Sequence, residues 1–258
     1  MSWLTQPATD LEDWNALPLD LLLAAMPQAP FPSDEQMLDE ENHVLPDWME
    51  WRLTYYRFAT AGLFRVLGEM PDSPCGGVCA TFARLMVVAP PGERFDWKAC
   101  WRAADAAWRA SWVEPGVEAG SLALHLPTCL LTFPTTAGLR EFVEWVERVD
   151  AASEGRPTDA EWDAMCRRDD RFADVIRTVL GYPWRPALDP QWKTADVMAL
   201  ARGIWVERAW DRTPILADAL QDAGCTLDDM LAHLRDATVD RTDGDWAVID
   251  VLLPAPPG

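Results

Sequence analysis

The sequence predicts a mainly α-helical protein: a multi-helix bundle of two lobes with an acidic N-terminal arm and at most a small β element. Three observations carry that expectation. Apolar residues recur near the 3.6-residue helical period through most of the chain after Pro46. Prolines, glycines and Ser/Thr capping patterns interrupt those segments at helix length. Two-residue alternation is confined to one stretch, residues 117–135, where Leu122, Leu124 and Leu126 allow a strand. The chain has 258 residues, 49% hydrophobic and 25% charged, which is an ordinary globular composition able to bury a core without a metal or disulfide staple.

Residues 1–47 form the arm. The first 50 residues carry 11 acidic side chains and no Lys or Arg. Six prolines punctuate them, at positions 7, 18, 27, 30, 32 and 46. Residues 17–26 are nonetheless an apolar stretch of short-helix length, and Ser33-Asp34-Glu35-Gln36 is a capping-box pattern. One or two short helices are expected here, packed on the body or on a partner.

Residues 48–153 read as a Trp-rich helical lobe. Residues 48–67 are apolar over more than one helical face and end at Gly68 and Pro71. Residues 74–79 read as a turn, and 80–88 as a short apolar helix or strand. Trp97, Trp101, Trp108 and Trp112 fall on one helical stripe, which suits either a core face or a partner groove. Residues 136–149 are expected to be helical, with Leu139, Phe142, Val143, Trp145 and Val146 inward. The break at 154–157 is the expected joint between lobes.

Residues 157–258 form the C-terminal lobe. Thr158-Asp159-Ala160-Glu161 is a capping box opening a helix. Thr194 is placed to cap a helix over 195–210. Thr213 before Pro214 is read as an N-cap, with Gly224 closing that helix. Thr226 opens a further helix to about residue 235, and residues 246–253 close the chain as helix or short strand.

Charge and composition exclude several functions. The net charge is −20, which argues against direct nucleic-acid binding and against adhesion to anionic membranes. No apolar run approaches the ~18 residues that a membrane span needs. No basic region followed by an apolar stretch opens the chain, so a cytoplasmic location is expected, with six reduced cysteines. Of the 22 basic residues only Lys98 and Lys193 are lysines.

Chemistry-bearing patterns are sparse. Cys75 and Cys79 form a C-x3-C pair, and His125 and Cys129 an H-x3-C pair; together they offer four ligands for a tetrahedral zinc, although isolated buried thiols account for the same residues. Cys225 and His233 are a looser pair. No nucleophile elbow, phosphate-binding loop or His-Glu-x-x-His stands in the chain. Residues 240–245 lack the ligand ladder of a calcium loop. No catalytic, cofactor-binding or metal-ligating residue is therefore assigned.

One block is distinctive. Glu207-Arg208-Ala-Trp210-Asp211-Arg212-Thr-Pro214 runs into Ile215-Leu-Ala-Asp-Ala-Leu-Gln-Asp-Ala-Gly-Cys225, followed by Leu231-Ala-His-Leu-Arg235 and Trp246. Over roughly residues 175–253 this resembles a group of uncharacterised planctomycete proteins that share an "ER-(F/W)-DR-x-P-ILADAL-x-(D/E)-AGC" helical block. The resemblance implies a helical C-terminal lobe and brings no activity, cofactor or catalytic residue with it. The Gly- and His-containing turn common in that family before the final Trp is replaced here by residues 236–245. Within the block, Arg208 and Arg212 are expected to clasp Glu207, Asp211 or Asp218.

The functional expectation is a non-catalytic acidic module that binds a protein partner with a basic surface. An accessory subunit, an inhibitor or an immunity-type protein of a bacterial conflict system would each fit. The alternative is a small zinc-binding protein or enzyme using Cys75, Cys79, His125 and Cys129.

Overall fold

The computed structural model describes residues 11–25, 47–70, 76–87, 89–91, 157–182 and 185–253, with seven helical positions between 139 and 147. The protein is mainly α-helical, and no strand occurs among the described residues. In chain order the helices are α1 (Leu11–Ala16), α2 (Leu19–Ala25), α3 (Asp47–Gly68), α4 (Gly76–Met86), α5 (Asp159–Leu180), α6 (Ala195–Glu207), α7 (Thr213–Asp222), α8 (Asp228–Arg235) and α9 (Trp246–Leu252). The Trp97–Trp112 stripe, the strand expected within 117–135 and the capping pattern at 33–36 lie outside the described residues.

The acidic N-terminal stretch contributes directly to the core. Trp14, Leu19, Leu22 and Leu23 are all buried, and α2 packs on α5. Polar contacts reinforce this docking at helix ends, where carbonyls lack intrahelical partners. Arg177 donates to the Leu17 carbonyl just past α1, and Arg140 Nη2 donates to the Leu23 carbonyl at 2.8 Å.

Helix α3 is apolar on most sides because it runs between α4 and α5. Phe58, Ala59, Leu63 and Phe64 are fully buried. Phe142 from the 139–147 helical segment meets Phe64 edge-on at 5.5 Å and Phe172 of α5 at 5.9 Å. Residues from both sides of the expected joint thus share one core. Helix α4 corrects one expectation: from Gly76 onward the stretch read as a turn is already helical. Cys79 and Met86, seven residues apart, are both buried, as two turns of a helix require.

Caps explain where the later helices begin and end. The capping box of α5 is complete: Thr158 Oγ1 accepts from the Glu161 N–H at 3.3 Å, and Glu161 Oε2 accepts from the Thr158 N–H at 2.7 Å. Thr194 caps α6 by accepting from the Val197 N–H. Helix α6 stops at Glu207, three residues short of expectation, because Arg208 turns into the left-handed region at φ 53°. That conformation costs a non-glycine residue about 1 kcal/mol or more. The Arg208 guanidinium offsets part of it by lying over the rings of Trp205 and Trp210, at 5.0 and 5.8 Å.

Thr213 does not cap α7. The 3-10 turn Trp210–Arg212 runs straight into the helix, so Thr213 is itself helical (φ −59°, ψ −33°), whereas a capping residue needs extended backbone. Its buried hydroxyl instead donates to the Trp210 carbonyl at 3.0 Å. The other end of α7 follows expectation. Gly224, at φ 95°, reverses the chain, and the Gly224 and Cys225 N–H groups return to the Gln221 and Leu220 carbonyls, both at 2.9 Å. Helix α8 starts after Leu227 with no side-chain cap, so Thr226 does not play that part.

The C-terminal helices assemble in sequence. Helix α6 packs on α7 and α9, α7 on α8, and α9 also reaches α5 and α8. No helix among the described residues is long and apolar enough to cross a membrane.

Candidate binding cleft

Helix α9 is Trp-Ala-Val-Ile-Asp-Val-Leu, and all seven residues are buried. Such a helix is unremarkable except for its acids: Asp250 within it and Asp245 before it. A buried carboxylate needs several hydrogen-bond donors to be tolerated. Both have them.

Asp245 is the N-cap of α9 and wholly buried. Its Oδ1 accepts from the Ala247 and Val248 N–H groups, at 2.9 and 3.2 Å. Its Oδ2 accepts from Arg241 Nε at 2.6 Å and faces His233 Nε2 at 2.9 Å. Burial pushes this carboxyl up, but His233, Arg241 and the backbone donor outweigh it and hold it below its ordinary range. Arg241 also donates to the Asp236 carbonyl at 2.8 Å and to the His233 carbonyl, which ties the 236–245 turn to the end of α8.

Asp250 is the second centre. Arg185 grips it with Nε and Nη2, at 3.0 and 3.2 Å, and the buried Tyr55 hydroxyl of α3 donates to the same carboxylate. Burial, and then the neighbouring Asp250 charge, push the Tyr55 hydroxyl well above its ordinary value, so it remains a donor. Arg185 Nη1 also donates to the Leu180 and Tyr182 carbonyls. Lys193 closes the far end of α9 with hydrogen bonds to the Asp250 and Leu253 carbonyls, at 2.5 and 2.7 Å.

Trp246 stands between these centres. His233 stacks on its ring at 5.0 Å and the Arg185 guanidinium lies over it at 4.7 Å. The ring also packs against Gly181 (φ 65°), where an added Cβ would sit 2.6 Å from Trp246 Cγ. No other residue type would allow both that backbone conformation and that approach.

These side chains edge a cleft of about 910 Å³. One wall is a face of α5: Asp174, Arg177, Thr178 and Gly181. The opposite wall is a face of α8, from Asp228 and Asp229 through His233 to Asp236. Trp14, Tyr182 and Trp246 give it aromatic lining, with Trp14 supplied by the acidic N-terminal stretch. Among the described residues, five exposed carboxylates border it: Asp174, Asp228, Asp229, Asp236 and Asp240. The two lining arginines are already engaged, Arg185 with Asp250 and Arg177 with Asp174 and the Leu17 carbonyl. Hydrogen bonds from Thr238 and Thr242 hold Asp236 and Asp240 below the ordinary carboxylate range. The cleft is therefore an acidic one with an aromatic interior.

Of the residues singled out in the sequence, His233 and Trp246 line the cleft, and Cys79 and Cys225 do not. Cys79 is buried in α4; Cys75, His125 and Cys129 lie outside the described residues. Cys225 is buried behind Gly224, and burial raises its thiol above its ordinary value. His233 turns to Asp245 rather than to Cys225. In the 207–213 corner, Arg212 pairs with Glu207 at 2.7 Å on the surface, and Asp218 is taken by Arg235. Tyr55, Arg185, Arg241, Asp245 and Asp250 carried no motif. Their one legible signal was an aspartate inside and another just before an otherwise apolar helix.

The fold and cleft define a mainly α-helical protein with an acidic, aromatic-lined groove and two buried carboxylate centres behind it. Comparison of the chain with protein-family models, with curated proteins and with solved structures finds no match.

Proposed function

We propose that this protein is a non-catalytic binding module that receives a basic segment of a partner protein in the cleft between α5 and α8. The observation that carries the reading is the cleft's charge: among the described lining residues Arg185 is committed to Asp250 and Arg177 to Asp174 and the Leu17 carbonyl, which leaves the exposed Asp228, Asp229, Asp236 and Asp240 in excess. Carboxylates at a rim attract and orient a cationic segment, and aromatic rings contribute cation–π contact and apolar area. The excess of acid over base in the whole chain favours the same class of partner.

An accessory subunit, an inhibitor or an immunity-type protein would use such a groove. The reading places the protein in the cytoplasm, where thiols stay reduced. The resemblance of residues 175–253 to the planctomycete proteins belongs to the same proposal, since that block supplies α6 to α9 and with them one wall of the cleft.

Fluorescence anisotropy with a labelled arginine-rich peptide tests it. Binding is expected at low salt and weakens as salt rises, because exposed charges are screened over ~10 Å at 0.1 M. The combined variant Asp228→Asn, Asp229→Asn, Asp236→Asn is expected to lose most of the affinity and keep its fold. Salt-insensitive binding, or a variant that binds like the parent, would refute the proposal.

A further inference from the structure

His233 is the one imidazole lining the cleft among the described residues, and its environment fixes its hydrogen-bonding roles. Its Nε2 lies 2.9 Å from Asp245 Oδ2. A carboxylate held ionised can only accept, so Nε2 carries the hydrogen. In the neutral ring Nδ1 is then a lone-pair acceptor, and among the described residues it makes no hydrogen bond. The ring cannot readily turn away from this arrangement. Asp245 is anchored by Arg241 and two backbone N–H groups, and the imidazole lies against the Trp246 ring at 5.0 Å, tilted by 33°.

We propose that neutral His233 is the specificity residue of this cleft: its free ring nitrogen accepts a hydrogen bond from an ammonium or guanidinium group of the basic segment, and protonation replaces that acceptor with a competing cation. The inference rests on the cleft reading above, because it presupposes a cationic occupant.

The charged groups around the ring come from four elements. Asp245 and Arg241, from the 236–245 turn, largely neutralise each other. Asp229 stands on the same helix as His233 and Asp236 just past its end, and Asp236 interacts with His233 electrostatically. Arg185 shares the Trp246 ring. Asp174 and Arg177 stand on the α5 wall and pair with each other. Carboxylates and guanidiniums, as classes, change charge outside the window from about pH 5.5 to 7.5, and imidazole changes within it.

The test uses the full chain and the labelled arginine-rich peptide at constant ionic strength. From about pH 7.5 to about 5.5 the parent protein is expected to lose at least about fivefold in affinity, as a switch of one imidazole allows. His233→Gln keeps a side-chain N–H near Asp245 but does not titrate. It is expected to bind about threefold more weakly at the higher pH, for one lost hydrogen bond, and to show a flat pH profile. Calorimetry of the parent protein in buffers of different ionisation enthalpy gives a readout that needs no variant: peptide binding near pH 6.5 should release protons. Proton uptake or no exchange, or a His233→Gln variant with the parent's pH dependence, would overturn the role of His233 and leave the cleft reading standing. Failure of the parent protein to bind at either pH would overturn both.

Discussion

Two short connections in this molecule carry the same side chains, arginines beside carboxylates. Residues 207–213 join α6 to α7, and residues 236–245 join α8 to α9. In the first, Arg212 and Glu207 meet at 2.7 Å with 48% and 57% of their side-chain surface exposed. In the second, Arg241 and Asp245 meet at 2.6 Å with 3% and 0% exposed. The distances are nearly equal, so geometry does not separate the pairs; solvent does. An exposed pair contributes roughly 0–1 kcal/mol, whereas removing one partner of a buried pair strands the other charge and costs about 3–5 kcal/mol. The first connection carries the more recognisable sequence block. The second holds the more consequential contacts, and it forms an edge of the cleft.

Breaking the buried pair gives the largest effect. Arg241→Ala is expected to lower unfolding stability by about 3–5 kcal/mol in a denaturant titration, because Asp245 keeps its burial and loses a charged donor. A cost no greater than that of Arg212→Ala would abolish the contrast between the two connections.

Acid should expose the same centre. The Asp245 carboxyl is depressed in the folded state, so its contribution to stability is full above the unfolded value and fades as pH falls through the folded one. Melting temperature should therefore drop below about pH 4. Asp245→Asn should be less stable at neutral pH and should lose less on acidification. Parallel melting curves for the two proteins would argue that Asp245 is not held ionised by its neighbours.

Smaller effects belong to the first connection. Thr213→Ala removes a buried hydroxyl and one of the two hydrogen bonds that the Trp210 carbonyl accepts from residue 213, the backbone N–H being kept, and is expected to cost about 1 kcal/mol, with Thr213→Ser recovering most of it. Arg212→Ala should shift stability by no more than about 1 kcal/mol, and by less in high salt. A larger penalty would mean that the surface pair is more confined than its exposure indicates.

The helical class was legible because periodicity and caps are local. Thr158 with Glu161, Thr194 and Gly224 all act where their patterns place them. Thr213 misled because the same Thr-Pro pattern serves either a cap or the entry from a 3-10 turn, and only the preceding backbone distinguishes them. The cleft was not legible. Trp14, Arg177, Arg185, His233 and Trp246 are scattered across more than two hundred positions, and only the packing of α1, α5, α8 and α9 brings them together. Exposure is likewise a tertiary property. The sequence could mark Arg212 and Arg241 as charged, but not which of them the fold would bury.

The most direct measurement of the central claim is hydrogen–deuterium exchange on the full chain with and without the arginine-rich peptide. It reports where a basic segment sits without altering any residue. Slowed exchange concentrated in residues 174–182 and 226–240, the two walls of the cleft, is the expected result. Protection confined to other parts of the chain, such as the acidic run over residues 34–41, would contradict the account.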